Sequence, residues 1–448
     1  KENTDPFPKF YLLMKVHKEP LKTRPIVSCS GSLLQPLGVW LNSVFQKIAI
    51  RMPAYFKSSK DLKDEVLELG ELPPQTRFFT ADAVSMYTNI PTKKALQKIR
   101  EFLDRPENST ILGTVPVSMF MSALELVMSN NMIEFGDTYW LQMVGTAMGT
   151  PPAPPYATVY YGIFELAFLV QFPELLLYRR YIDDVFGIWC PTSVDVNNER
   201  FSELQVAMNS DSGLTWEFRD LKTEVDFMDL TLRLANGRAQ TTMYEKPMNL
   251  YLYMPPSTCH PPGLINGLVF GQVKRINDLC SLESDKHEKV RLFYDRLRFR
   301  GWQESTLRPL FEKAISSLSQ PSNLASSVPS EQDDWKPLFL HLRYNPADPS
   351  SRIFQRCWYN TVLRPPSGLP LSECRDDENR RIPIGRLVIA YSRQPNLGNK
   401  LSYRKMVTNE DFKVSTTADK FRPLYNLMQL PRNPYHLPSV PVDDPSAR

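Results

Sequence analysis

The chain has 448 residues, too many for one ordinary hydrophobic core and enough for several lobes around a cleft. Its 53 Lys+Arg stand against 49 Asp+Glu, so the formal charge of +4 excludes any argument for nucleic-acid binding from global charge, and such a function must rest on local patches. Six cysteines (Cys29, Cys190, Cys259, Cys280, Cys357 and Cys374) lie scattered without a CxxC pair, which speaks against a disulfide framework or zinc site and for a reducing compartment.

The chain begins at Lys1 with no initiator Met and enters patterned sequence at once, so a longer parent protein is expected. Residues 10–28 alternate basic and β-prone positions around Pro20, which predicts a hairpin carrying cations. Apolar residues recur at helical spacing over 33–48, and 76–83 reads as a short buried strand ending at Asp82. Helices are expected over 92–103 and 118–128, followed by a hairpin that turns at Gly136-Asp137. A stiff Gly/Pro loop over 145–155 then launches an apolar helix from about Tyr156, since proline suits a first helical turn. The apolar stretch 160–178 is interrupted by Glu165, Pro173 and Glu174, and reads as a buried helix rather than a membrane span. A second hairpin over 177–189 turns at Asp183-Asp184.

Strands are expected over 214–218, 225–234 and 239–244, and a basic helical region over 266–318. Residues 319–335, rich in Ser, Pro, Gln and Asp, read as a linker, and the proline-punctuated remainder holds one clear strand at 386–391. The expected class is α+β.

The chemistry lies in the acids. Asp82 ends one strand, and Asp183 and Asp184 sit at a hairpin tip between bulky apolar neighbours, where adjacent acids repel and a cation is the natural neutraliser. Carboxylates converging from separate elements are what two-metal phosphoryl chemistry needs.

Several segments follow one another in the order of reverse-transcriptase motifs: Lys15-Val16-His17-Lys18, Arg24-Pro25-Ile26-Val27-Ser28, the run from Asp82 through Tyr87 to Pro91, Ala147-Met148-Gly149-Thr150-Pro151, and Tyr181-Ile182-Asp183-Asp184. Together they closely resemble the Penelope-like retroelement family. The likeness continues in Asp226-Phe227-Met228-Asp229, Tyr244-Glu245-Lys246-Pro247, His260-Pro261-Pro262-Gly263, the segment from Gly271 to Ile276, Arg300-Gly301-Trp302, and the segment from Ile389 to Leu397.

The resemblance implies a right-hand polymerase of fingers, palm and thumb, with an antiparallel palm sheet backed by helices. In that layout 1–75 are fingers, 76–260 are palm with a fingers insertion near 92–145, 261–318 are a helical thumb, 319–335 are a linker and 336–448 extend the thumb. It implies an RNA-directed DNA polymerase that extends a DNA or RNA primer on an RNA template with deoxynucleoside triphosphates. Asp82 and Asp183 would bind two Mg²⁺ ions, with Mn²⁺ as a substitute, assisted by Asp184 and the Ala83 carbonyl; all-oxygen sites of this kind suit Mg²⁺.

Further roles follow from the same resemblance. Arg24 with Lys15 or Lys18 would hold the triphosphate. Tyr87 would exclude a 2′-hydroxyl, and Gly149 would let backbone approach the nascent base pair. Lys222 or Lys246 would protonate the leaving pyrophosphate. Lys274, Arg275, Arg298 and Arg300 would grip template–primer phosphates.

Met148 stands where many reverse transcriptases have Gln, and Thr158 where Asn is common, which bears on fidelity and template handling. Residues 401–448 show no GIY-YIG endonuclease motif, so the expectation is either an endonuclease-lacking type that primes from pre-existing 3′ ends, with a separate endonuclease as a candidate partner, or a sequence that stops short of that domain. The lifestyle of such elements implies nuclear residence and no membrane association. A domesticated, inactive RNA-binding scaffold and a telomerase-like polymerase with a bound RNA are the competing readings.

Overall fold

A computed structural model of the chain describes residues 7–15, 22–136, 138–191, 197–261, 263–318, 336–363, 384–392 and 421–423. The chain divides into two compact units, Lys1–Asn249 with Met406–Arg448, and Leu250–Lys405.

The first unit opens with the antiparallel pair β1 (Lys9–Lys15) and β2 (Lys22–Ser28), in register from Lys9 opposite Ser28 to Lys15 opposite Lys22. Helices α1 (Gln35–Ala49) and α2 (Ser59–Glu68) lead to strand β3 (Arg77–Ala83), the single-turn helix α3 (Met86–Asn89), and helices α4 (Thr92–Leu103) and α5 (Val117–Ser129). Hairpin β4 (Met132–Phe135) and β5 (Thr138–Gln142), helix α6 (Ala153–Phe168), hairpin β6 (Leu175–Tyr181) and β7 (Asp184–Trp189), helix α7 (Asn197–Asn209) and strand β8 (Trp216–Phe218) follow. A meander of β9 (Glu224–Phe227), β10 (Leu230–Ala235) and β11 (Arg238–Met243) ends the run.

Local chemistry explains most of these elements. In α4, Ala95, Ile99, Phe102 and Leu103 recur on one buried stripe while the lysines and arginines face outward. Helix α6 follows Pro151 and Pro152 and is apolar nearly all round, so it is buried on almost every side, with Tyr156, Tyr160 and Tyr161 inside.

The central sheet runs in the order β6-β7-β3-β8, antiparallel throughout. Alternation sends Phe79, Ala81 and Ala83 into the main core with α1, α4, α5 and α6, where Phe45, Phe120 and Tyr156 pack edge to face. Phe78, Thr80 and Asp82 take the opposite face. There Phe78 packs on Phe186 at 5.5 Å between ring centroids and Phe186 on Phe227 of β9 at 5.7 Å, so the meander covers that face at one end. Asp82 and Asp184 lie at the exposed end.

The second unit contains α8 (Leu264–Leu279), α9 (Glu283–Phe299) and α10 (Glu304–Leu318) around Val269, Val273, Ile276, Phe293, Leu297, Leu307 and Phe311. Strand β12 (Lys336–Arg343), helix α11 (Ser351–Trp358) and strand β13 (Ile384–Ser392) follow, the two strands pairing in parallel. Strand β14 (Phe421–Pro423) belongs to the first unit and pairs with β5.

The structure corrects three sequence expectations. The stretch 160–178 is not one buried helix: α6 stops at Phe168, and after Phe172-Pro173-Glu174 the chain enters β6, because apolar content alone does not separate a buried helix from a buried strand. The expected strand 225–234 is a hairpin, broken where Met228 takes φ 52°. The remainder holds strand β12 as well as the one expected at 386–391, while the helical region 266–318 is helical as expected, in three segments. The expected linker 319–335 lies outside the described residues. Among the described residues no helix is long and apolar enough to cross a membrane.

Candidate active site

Strand pairing brings the three aspartates to one place. Asp82 of β3 lies directly opposite Asp184 of β7, and opposed residues of an antiparallel pair stand about 4.5–5.5 Å apart at Cα with side chains on one face. The Ala83 amide donates to the Asp183 carbonyl at 2.8 Å, which locks the strand end to the hairpin tip. Extending the register gives a row across the sheet, Tyr181, Asp184, Asp82 and Glu217, all on the exposed face.

The tip differs from expectation in one respect. Tyr181 pairs with Asp184, so the two loop residues are Ile182 and Asp183, and Asp184 already belongs to β7. Ile182 takes φ 58°, an outlier for a β-branched side chain.

Charge explains the environment of the acids. Although Asp184 keeps an exposed edge, loss of hydration among its packed neighbours pushes its carboxyl up to about 6, reinforced by the like charges of Asp183 and Asp82 and opposed by Arg219 and Lys246. Burial also raises Asp183, opposed by a backbone hydrogen bond and then by Arg24, Lys15 and Arg180. The cluster is thus flanked by two pairs of cations, Lys15 and Arg24 on the β1–β2 hairpin acting on Asp183, and Arg219 and Lys246 acting on Asp184.

Two cations that act on the cluster, Arg219 and Arg180, escape a reading of the sequence. Arg219 follows β8 and donates its amide to the Thr80 carbonyl at 2.9 Å, a placement that only the pairing of β8 onto β3 reveals. Arg180 is buried and forks onto Glu165 of α6, with Nε–Oε1 at 2.6 Å and Nη2–Oε2 at 2.8 Å. A glutamate inside an apolar stretch is the available signal, because a buried carboxylate demands a cationic partner.

Tyr87 sits in α3, half-buried against the core, and burial followed by the charges of Asp183 and Tyr181 raises its phenol. The loop before α6 ties this helix to β2. Thr146 donates its amide to the Tyr87 carbonyl at 2.7 Å, and the Val27 amide donates to the Met148 carbonyl at 2.8 Å. Gly149 has φ 127°, and a Cβ there would come within 2.1 Å of the Val27 carbonyl oxygen, so its missing side chain is used against β2.

The two candidate acids separate. Lys222 bridges Phe78, four residues along β3 from Asp82, roughly 13 Å at strand rise. Lys246 lies within electrostatic reach of Asp184. Lys18 lies outside the described residues.

In the second unit Lys274 pairs with Asp278 at 2.8 Å and Arg275 neighbours it on α8. Arg298 donates to the Trp302 carbonyl at 2.7 Å and Arg300 to the Tyr253 carbonyl at 2.6 Å. Arg298 thus ties α9 to the turn that follows it, and Arg300 ties the same end to the segment before α8.

No family model and no curated protein matches the sequence. Solved structures with a similar course include telomerase from Candida albicans in complex with a TWJ fragment of telomeric RNA, at 12% identity and TM-score 0.48, covering 70% of this chain and 56% of that one. Apo telomerase from Candida tropicalis gives 12% identity and TM-score 0.41 over 71% of this chain and 59% of that one. BmCPV RNA-dependent RNA polymerase in its quiescent state gives 12% and 0.41 over 66% and 27%. The chain spans less than two thirds of the length of each, and likeness at this level assigns no activity.

Among the described residues no group of three or more His, Cys, Asp and Glu side chains is placed so that together they could hold a metal ion. Carboxylate oxygens are the donor type that Mg²⁺ takes, one or two at a time, together with water and substrate phosphates rather than in an all-protein cage. The partly desolvated carboxylates of Asp183 and Asp184, the second raised by the first, are a surplus of negative charge that such an ion would offset.

Proposed function

We propose that the chain is an RNA-directed DNA polymerase of the Penelope-like retroelement type, extending a primer 3′-hydroxyl on an RNA template. The observation that carries this reading is Asp82 opposite Asp184, with Ala83 bonded to the Asp183 carbonyl. A strand end and a hairpin tip meet there on an exposed face flanked by cations.

Asp82 and Asp183, with Asp184 and the Ala83 carbonyl, would hold two Mg²⁺ ions, or Mn²⁺ in their stead, which when bound activate the 3′-hydroxyl and neutralise triphosphate charge. The protein's own groups do the rest. Arg24 offers a fork and Lys15 a point charge to the triphosphate of the incoming deoxynucleotide. Tyr87 places a ring beneath its sugar. Lys246 stands ready to hand a proton to the pyrophosphate, with Lys222 farther up the sheet. The first unit supplies fingers and palm in this reading and the second a thumb, with Lys274, Arg275, Arg298 and Arg300 on template–primer phosphates. Nuclear residence and cooperation with a separate endonuclease belong to the same proposal.

Primer extension on an RNA template with each deoxynucleotide, comparing native protein with Asp183→Asn, tests it. Mg²⁺-dependent product from the native protein alone supports the reading. Salt-sensitive RNA binding without any product would replace it by the scaffold reading.

A further inference from the structure

Every edge of the Arg180 guanidinium is committed. Nε and Nη2 fork onto Glu165 at 2.6 and 2.8 Å, Nη2 also donates to the Thr158 carbonyl at 2.9 Å, and Nη1 donates to the Ile182 carbonyl at 2.9 Å. Its flat face stands 5.1 Å from the centre of the Tyr161 ring. Glu165, Thr158 and Tyr161 all belong to α6, so three anchors fix the group on a buried helix and one arm reaches forward to the hairpin tip.

That arm ends on an unusual residue. Ile182 is β-branched at φ 58°, a conformation that persists only where the surroundings over-determine it. Its neighbour Asp183 has its carbonyl held by the Ala83 amide. The loop is thus grasped from two sides, by β3 at Asp183 and by Arg180 at Ile182.

A buried ion pair is a poor device for stability alone, since well-packed apolar residues of similar size often serve as well or better. The pair at 165 and 180 makes sense as a polar tool held in an apolar setting. We infer that Arg180 is a positioning residue: charge-balanced by Glu165 and anchored on α6, it clasps the Ile182 carbonyl and fixes the left-handed loop that aims the Asp183 carboxylate. The inference rests on the proposed reading of Asp183 as a metal-binding acid. Lysine could keep the charge but cannot reproduce a planar fork with a third arm.

The test uses two variants and three readouts on the full chain. Arg180→Lys retains the cation, and the double variant Arg180→Met with Glu165→Leu removes both charges together, which protects the fold should the lysine protein fail to form. Measured are single-nucleotide extension on an RNA template–primer, Mn²⁺ binding by electron paramagnetic resonance, and hydrogen exchange over 178–186. Each folded variant should lose about 10- to 100-fold in kcat, on the scale reported when a group that holds catalytic geometry is displaced. KM for deoxynucleotide should stay within about threefold, while Mn²⁺ binding weakens and exchange at Ile182–Asp184 quickens relative to β3.

A double variant that melts like the native protein and also extends and binds Mn²⁺ like it would reduce Arg180 to scaffolding and overturn the inference. Native protein that never extends a primer would remove the polymerase reading instead. Faster exchange at the loop in the variants would then still register the clasp, so the two failures are told apart.

Discussion

Gly149 lies against the Val27 carbonyl so closely that a methyl group on its Cα would stand 2.1 Å from that oxygen. The Val27 amide reaches back to the Met148 carbonyl, so β2, with its Arg24, is fastened to the loop that opens α6. Gly149→Ala must move backbone rather than a flexible side chain, at a φ that side chains rarely adopt. It is expected to cost roughly 2–4 kcal/mol of stability, within the range of backbone strain and steric effects. Extension should fall with it. Met148→Leu, a volume-conserving change, should cost less than about 1.5 kcal/mol. Thermal melting beside primer extension checks both, and equal melting of Gly149→Ala and native protein would contradict the contact.

The acids make a second prediction. The like charges of Asp82 and Asp183 act on Asp184, and its partial desolvation adds to their effect. Asp184→Asn should therefore melt higher than the native protein in EDTA, and Mg²⁺ with deoxynucleotide should raise native melting more than that of the variant, since binding to the folded state alone stabilises by mass action. Asp82→Asn and Asp183→Asn should also lower extension by at least about 10³-fold, the order of loss seen on removing a central electrostatic group. Scanning fluorimetry with and without Mg²⁺ decides the first part. An Asp184→Asn protein less stable in EDTA than native would mean that the carboxylate is held by something other than its neighbours.

The two lysines that sequence leaves equivalent are set apart by the sheet. Lys222 is tied through its backbone to Phe78, while Lys246 acts on Asp184 from the segment after β11. Lys246→Ala should reduce kcat by about 10²-fold, the lower end of what a positioned proton donor contributes. Lys222→Ala should stay within about threefold, as a group outside reach of the reacting atoms has no proton to give. The solvent deuterium isotope effect on single-turnover extension gives an independent readout, and it should change only when Lys246 is lost. The reverse pattern would require the 219–224 segment to close on the site during turnover.

Much of this architecture is legible in the letters. The bounds of α4 follow from Ala95, Ile99, Phe102 and Leu103 recurring at helical spacing between Pro91 and Asp104, and the two hairpins in the first half follow from alternation and turn residues. What escapes has a common cause, because it depends on partners distant in sequence. The stretch 160–178 switches from helix to strand although both halves are buried and apolar. Glu165 looks like an interruption until Arg180 is seen beside it, and Arg219 looks like a surface charge until β8 pairs with β3. Arg298 and Arg300, expected at template–primer phosphates, each give one donor to a backbone carbonyl of their own unit, a use that spacing alone does not announce.

Tyr87 offers the sharpest test of substrate choice. Its backbone is fixed independently of its ring, since the carbonyl accepts from Thr146 and α3 packs on the core through Met86. Removing the ring should therefore open space without dismantling the loop. Tyr87→Ala is expected to raise ribonucleotide use relative to deoxynucleotide by about 10- to 100-fold, the scale on which a well-shaped pocket discriminates a small group. Tyr87→Phe should keep the native preference, because exclusion by a ring needs its bulk and not its hydroxyl. Ratios of kcat/KM for matched ribo- and deoxynucleotides on one template settle the point. An unchanged ratio in Tyr87→Ala, with melting like native, would assign the ring to the core and send the search for the sugar gate elsewhere on the face that Asp82 and Asp184 share.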